Sequence, residues 1–344
     1  MTQNNGQTEP LLSVRDLSTH FPLDEGTVIA VDGASFDLYP SQTLGIVGES
    51  GCGKSVTARS ILGILDKPGV ITGGEIMFRY RGRNGGQEEF RDLTEFDPDG
   101  SEMRAIRGGE IAYVFQEPMT SFSPVHTVGN QLMEAIMLHR DVDKAEAREM
   151  GAEMLRRVGI PLPERRMDEY SFQLSGGLRQ RAMIAMALSC SPRILIADEP
   201  TTALDVTTQA QILDLMINLQ QEQEMAIMLI THDLGVIAEM ADYVVVMYLG
   251  QVVESAPVDD IFHNPQHPYT RALLESIPRI QSDASQDRLA SITGSVPHPY
   301  ARPSGCPFNP RCPAFMPTVC DANEPTLQPI SENHEVSCFL HHGV

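Results

Sequence analysis

The run Gly48-Glu49-Ser50-Gly51-Cys52-Gly53-Lys54-Ser55 constrains this chain more than any other stretch. It follows the apolar segment Thr43-Leu44-Gly45-Ile46-Val47 and leads into Val56-Thr57-Ala58-Arg59-Ser60-Ile61-Leu62. A buried strand, a glycine-rich turn and a helix form the context in which G-x-x-x-x-G-K-[ST] cradles phosphates. The glycines let backbone N–H groups curl inward, and the helix that begins around Val56 adds the partial positive charge of its N-terminus. Lys54 is then placed to neutralise phosphate oxygens and the Ser55 hydroxyl to ligate Mg²⁺. The spacing predicts a nucleotide-binding α/β fold.

Along the chain, Leu11 to Leu17 and Thr27 to Leu38 alternate apolar and polar residues, as short antiparallel strands do. Phe21 lies between them in an expected loop, as a candidate for stacking on a base or as a local packing contact. Gly73 to Phe78 reads as a strand, and Arg79 to Ser101 as a long hairpin or surface loop. Ile111 to Phe115 reads as a buried strand ending at Gln116. From there to about Leu188 the pattern is helical, with Val128 to His139 and Lys144 to Val158 amphipathic. Ile194 to Ala197 is a fully apolar strand closed by Asp198 and Glu199. Gln209 to Gln221 is expected as a helix, then Met225 to Ile230 and Asp242 to Met247 as strands. Strands alternating with helices after such a loop indicate a doubly wound, largely parallel sheet. One phosphate-loop motif and no internal repeat exclude a fused pair of such cores.

Hydrolysis of a phosphoanhydride needs an ion clamp, an orienter of water and a sensor of the γ-phosphate. Asp198 at a strand end fits a water-mediated Mg²⁺ contact. Glu199 beside it fits polarisation of the attacking water. His232 fits a bond to the γ-phosphate, and Gln116 a contact to both Mg²⁺ and that water. The run Leu174-Ser175-Gly176-Gly177-Leu178 opens a helix, which makes it a second anion site by the backbone and dipole argument. One nucleotide does not need two such sites in one chain, whereas two copies arranged head to tail do.

The net charge of −21 argues against a nucleic-acid partner. The N-terminus has neither the basic flank nor the apolar core of a signal peptide. No apolar run reaches the roughly 18 residues of a spanning helix. These features predict a cytosolic protein, free or held at a membrane by partners.

The phosphate loop, Gln116, Leu-Ser-Gly-Gly at 174–177, Asp198-Glu199, Ala203-Leu204-Asp205 and His232 together resemble an ABC-transporter ATPase, over about Leu11 to Gln251. The resemblance implies a P-loop NTPase core with a mixed sheet, an antiparallel β subdomain and a helical subdomain. It implies that Phe21 stacks on adenine and that Gln116 is the Q-loop. Ser175 to Gly177 become the signature motif, Asp205 a residue of the dimer-crossing loop, and His232 the switch histidine. Leu178 stands where the family usually has Gln.

Asn264 to Leu274 and the box Gly305-Cys306-Pro307-Phe308-Asn309-Pro310-Arg311-Cys312 resemble the C-terminal extension of oligopeptide and dipeptide permease ATPases. So does Gln116-Glu117-Pro118-Met119-Thr120-Ser121. Such importers combine two different ATPase subunits, two membrane permease subunits and an extracytoplasmic solute-binding protein. The implied protein is thus an ATPase peripheral to the cytoplasmic face of a bacterial inner membrane that powers import of di- or oligopeptides. Relatives with the same tail import nickel complexes or oligosaccharides. A soluble ABC ATPase acting on nucleic acid and a redox- or iron-sensing regulator are the rival readings. The implied domains are an ATPase core over 11–278, with a helical subdomain over about 117–190, and a Cys-rich extension over 279–344.

Cys306, Cys312, Cys320 and Cys338 are spaced C-x5-C-x7-C-x17-C. So small and proline-rich a segment calls for a staple, and disulfides are disfavoured in the cytosol. Four thiolates suit Zn²⁺ or a [4Fe–4S] cluster equally by ligand type; the resemblance favours [4Fe–4S].

Overall fold

The computed structural model describes residues 9–81, 88–117, 121–202, 204–277 and 292–343. The chain divides into two compact units. The first takes in residues up to 11, 38–43 and 78–230; the second takes in 12–37, 44–77 and 231–344.

In the second unit, β1 (Leu12–Leu23) and β2 (Gly26–Leu38) form a hairpin, and β1 also neighbours β4 (Val70–Tyr80), giving the order β2-β1-β4. β3 (Thr43–Val47) is buried along its whole length and leads into the glycine loop and α1 (Lys54–Ile61). β9 (Tyr243–Tyr248) runs parallel to β3, pairing Leu44 with Tyr243 and Val47 with Val246. Leu249 and Gly250, both at positive φ (45° and 85°), turn the chain into β10 (Gln251–Pro257), antiparallel to β9. This is the backbone that a two-residue hairpin turn requires.

The first unit holds β6 (Ile111–Val114), β7 (Ile194–Asp198) and β8 (Ala226–Ile230) as parallel neighbours. β7 and β8 are buried at every residue, which explains their unbroken apolar sequences. The amphipathic segments form α3 (Val128–His139) and α4 (Lys144–Arg157), which pack on each other. Thr127 caps α3 by accepting from Asn130 N, and Asp143 caps α4 by accepting from Ala145 N and Glu146 N. α6 (Gly176–Leu188) and α7 (Val206–Gln223) belong to the same unit.

Several expectations change. Phe21 is not in a loop. The alternation runs on through Thr19, fully buried with its hydroxyl 2.8 Å from Ser60 Oγ, so β1 extends to Leu23. Phe21 is half-buried, with its ring so close to Gly69 that a Cβ there would lie 2.6 Å from Cε1. The stretch from Arg79 to Ser101 contains β5 (Glu89–Asp92) and a 3-10 turn; residues 82–87 lie outside the described residues. The helix expected from Gln209 starts at Val206, because Asp205 caps it.

The described C-terminal residues, 292–343, belong to the same compact unit as the glycine loop. β12 (His334–Val336) pairs antiparallel with β10, placing Val336 opposite Glu254, and β11 (Gln328–Ser331) pairs with β12. A bare β10 edge would expose unpaired backbone groups, and this tail covers it. Phe308, 1% exposed, packs with Tyr248 and Tyr269 at ring distances of 5.3 and 5.4 Å. The tail therefore shares a core and has no need of a staple to stand alone.

Candidate functional site

In the second unit, Gly48 and Gly53 are at φ 152° and 103°. A Cβ on Gly48 would sit 2.2 Å from Met247 O, and one on Gly53 2.4 Å from Ala30 O. Glycine at these two positions lets the loop press against neighbouring backbone. Lys54 is 5% exposed, and its ammonium donates to Gly48 O (2.7 Å) and Glu49 O (3.1 Å). A buried cation at the start of α1, in a glycine loop packed against neighbouring backbone, fits a polyphosphate anion. Cys52 is 3% exposed, and burial pushes its thiol up, so it is a neutral loop residue. Ser55 lies in the first turn of α1, Val56 follows it, and Ser50 and Gly51 complete the loop. His232 is exposed in the turn before α8 (Leu234–Met240), where Asp233 caps the helix by accepting from Gly235 N at 2.8 Å.

In the first unit, Asp198 ends β7 at 2% exposure, and its Oδ2 accepts from Tyr113 Oη at 2.6 Å. Glu199 has φ 48°, a conformation that non-glycine residues seldom adopt. Its N–H donates to Ile230 O (2.8 Å), and its Oε2 accepts from Gln116 Nε2 (2.7 Å) and Thr202 Oγ1 (2.9 Å). The structure thus joins Gln116 directly to Glu199, a bond the sequence reading did not anticipate, and adds Tyr113 and Thr202, which that reading missed. Tyr113 looked like one more apolar strand residue. Only strand pairing that sets Tyr113 beside Ile196 and Val114 beside Ala197 brings its hydroxyl to Asp198.

Ser175 is exposed and caps α6, accepting from Leu178 N at 3.4 Å. The glycines Gly176 and Gly177 form the first turn of that helix. Asp205 caps α7 through Thr208 N (2.9 Å) and Thr208 Oγ1 (2.7 Å), and these bonds hold its carboxyl below the usual range. Ala203 lies outside the described residues.

The four C-terminal cysteines gather without converging. None is in a disulfide. Cys306 N donates to Cys320 O at 2.8 Å. Burial pushes the Cys306 thiol up to about 12, and Cys320, Cys338 and Cys312 add to the rise. Among the described residues, no group of three or more His, Cys, Asp or Glu side chains is arranged to hold a metal ion. Among the described residues the expected [4Fe–4S] or zinc centre is therefore not preformed.

Comparison with known proteins agrees with this geometry. Residues 31–202 match the ABC transporter family, and residues 253–320 the oligopeptide/dipeptide transporter C-terminal region. A probable peptide ABC transporter ATP-binding protein of Sinorhizobium fredii is 51% identical, over 98% of this chain and 97% of its own. The dipeptide transport ATP-binding protein of Escherichia coli is 47% identical, over 95% and 96%. An ATP-binding cassette solved as a post-hydrolysis dimer with ADP and phosphate is similar, with a TM-score of 0.61 and 26% identity. That match covers 72% of this chain and 98% of the other. With a glycine cradle around Lys54 and a Gln116–Glu199–Thr202 cluster in one sequence, and these relatives along nearly its whole length, the chain belongs to the ABC transporter ATPases, in their oligopeptide and dipeptide transporter branch.

Proposed function

We propose that this protein is the ATP-hydrolysing subunit that powers an importer of di- or oligopeptides. Lys54 and the loop amides hold the phosphates, and Phe21 faces the base. The Ser55 hydroxyl and the Asp198 carboxylate serve Mg²⁺, which when bound neutralises charge developing on the transferred phosphoryl group. Glu199 orients the attacking water, Gln116 and Thr202 hold its carboxylate, and His232 contacts the γ-phosphate. Ser175 to Gly177 act on the nucleotide of a second ATPase subunit, with Asp205 in the loop that crosses to it. The observation that carries this reading is the double hold on Glu199 Oε2, which aims a carboxylate that buried strand geometry alone would not direct.

The partners in this reading are a paralogous ATPase, two permease subunits and, through them, an extracytoplasmic binding protein at a bacterial inner membrane. No helix among the described residues is long and apolar enough to cross a membrane; in this reading the permeases supply the path. Exposed apolar side chains on the helical block, Val125 (74%) and Leu138 (68%) among them, support it as the docking face. Peptide as cargo follows the roles named for the relatives in Sinorhizobium fredii and Escherichia coli. The finer reading of the four cysteines, a [4Fe–4S] cluster, rests on the family resemblance and on their gathering. No step of hydrolysis runs through it. Anaerobic purification with iron analysis tests it: about four irons per chain supports it, and none overturns it.

The central test is Glu199→Gln in the assembled transporter. MgATP binding should persist while hydrolysis falls roughly 10²-fold or more, with a closed nucleotide-bound dimer accumulating. Turnover close to wild type would remove Glu199 from its role.

A further inference from the structure

We propose that Arg311 and Tyr269 are positioning residues for nucleotide binding: they set the phosphate loop through the two ends of Glu49, its carboxylate and its backbone amide. The inference rests on the loop's reading as a phosphate site and goes beyond it, because both residues come from the C-terminal part of the chain.

Arg311 holds Glu49 as a two-pronged fork, with Nη1 to Oε2 at 2.7 Å and Nη2 to Oε1 at 3.0 Å. The Arg311 side chain is 3% exposed and that of Glu49 25%. The rest of the guanidinium is committed as well. Nε donates to Thr293 O (3.2 Å), Nη1 reaches Tyr248 Oη (3.4 Å), and Cζ lies 5.8 Å from the centre of the Tyr248 ring. A planar fork seated this way fixes both the place and the direction of a carboxylate. The other end of Glu49 is fixed independently, since its N–H donates to Tyr269 Oη at 2.9 Å. Tyr269 is fully buried, 4.7 Å from Tyr248 ring to ring. Lys54 Nζ donates to the carbonyl of the same residue. Glu49 is thus gripped at its amide, its carbonyl and its side chain.

The chemistry gives these grips a purpose. Glu49 is an acid in a loop that takes a polyanion, and a free carboxylate there would repel phosphate and compete for Lys54. Arg311 neutralises it and turns it toward the tail. Tyr269 takes up an amide that would otherwise be left unpaired in a partly buried turn. The tail, through these two residues, pre-organises the loop before nucleotide arrives, and whatever shifts the tail shifts nucleotide affinity.

The test is MgATP binding by the full chain, measured with thermal unfolding at low and high salt. Arg311→Met should weaken binding about 10-fold, and less so in high salt. Glu49→Gln together with Arg311→Met should restore most of that loss, because no carboxylate remains to repel phosphate. Arg311→Lys should recover only part. Tyr269→Phe, which keeps the ring and removes the hydroxyl, should weaken binding several-fold while staying folded, with only a modest drop in unfolding temperature from the amide left unpaired; it carries the test if Arg311→Met does not fold. Wild-type affinity in folded Arg311→Met and Tyr269→Phe, with Lys54→Ala losing binding, overturns this inference and leaves the phosphate loop intact. An equal loss in Arg311→Met and the double variant also overturns it. A wild-type chain that binds no MgATP overturns the reading of the loop itself.

Discussion

Asp198 and Glu199 are adjacent in sequence yet serve through opposite means. Asp198 continues the extended strand and is buried at 2% exposure with Tyr113 as donor. Glu199 leaves the strand at φ 48°, a backbone cost of order 1–3 kcal/mol that surrounding bonds must over-determine. Those bonds are the amide to Ile230 O and the carboxylate to Gln116 and Thr202. Tyr113 is the residue whose removal separates the two carboxylates experimentally. Tyr113→Phe deletes a hydrogen bond to a charged group, a kind worth about 1.5–3 kcal/mol, and leaves Glu199 untouched. ATPase activity of the assembled transporter should fall roughly 10-fold at limiting Mg²⁺ and recover in part as Mg²⁺ rises. An unchanged Mg²⁺ dependence would detach Tyr113 from the ion.

Helix ends carry much of the chemistry at the next scale. Ser175, Asp205 and Asp233 are N-caps, each spending a side-chain oxygen on the first turn of the helix it starts. His267 does the same for α10 (Pro268–Glu275), where Nδ1 accepts from Tyr269 N at 3.0 Å. It is 1% exposed, and burial, with His341 and Arg271 adding, lowers its pKa to about 3. In the unfolded chain the same imidazole titrates near 6.5. As pH falls below that value the unfolded state takes up the proton first. Stability from this group is therefore complete above about pH 6.5 and falls by about 1.4 kcal/mol per pH unit toward pH 3. His267→Asn keeps a capping oxygen and cannot be protonated in this range. Urea midpoints at pH 7, 6 and 5 should decline less steeply in this variant than in wild type.

At the scale of the molecule, the residues proposed for ATP hydrolysis fall into both units, Lys54 and His232 in one, Asp198 and Glu199 in the other. In the proposed reading, the Ser175 helix start acts on a partner's nucleotide and not on the chain's own. Isolated protein should therefore hydrolyse ATP slowly, with the rate rising at least several-fold when the second ATPase and the membrane subunits are added. A steady-state assay across protein concentration, with and without partners, checks this. Full activity that is independent of concentration and partners would show a self-sufficient chain. The tail belongs to this scale too. Because β12 covers the β10 edge and Phe308 enters the ring cluster beside Tyr248, truncation ahead of residue 300 should expose that edge and lower the unfolding temperature.

Local sequence sufficed wherever one rule governed a segment. Unbroken apolar runs, four residues ahead of Asp198 in β7 and five in β8, made buried parallel strands, and apolar spacing placed α3 over Val128–His139. The fixed offsets of glycines, Lys54 and Ser55 placed the phosphate loop. Phe21 escaped local reading because β1 is continued by a buried Thr19–Ser60 hydroxyl pair 41 residues apart. Tyr113, Tyr269 and Arg311 escaped it for the same reason: their hydroxyls and guanidinium gain meaning only from a partner brought near by strand register or by the tail. Thr202 lies only three residues from Glu199, and what hid it is the turn at Glu199, whose positive φ no motif spacing announces. The Glu49–Arg311 fork spans 262 residues. No periodicity or motif spacing encodes such a pair, because it is the packing of Tyr248, Tyr269 and Phe308 that fixes where the guanidinium can reach.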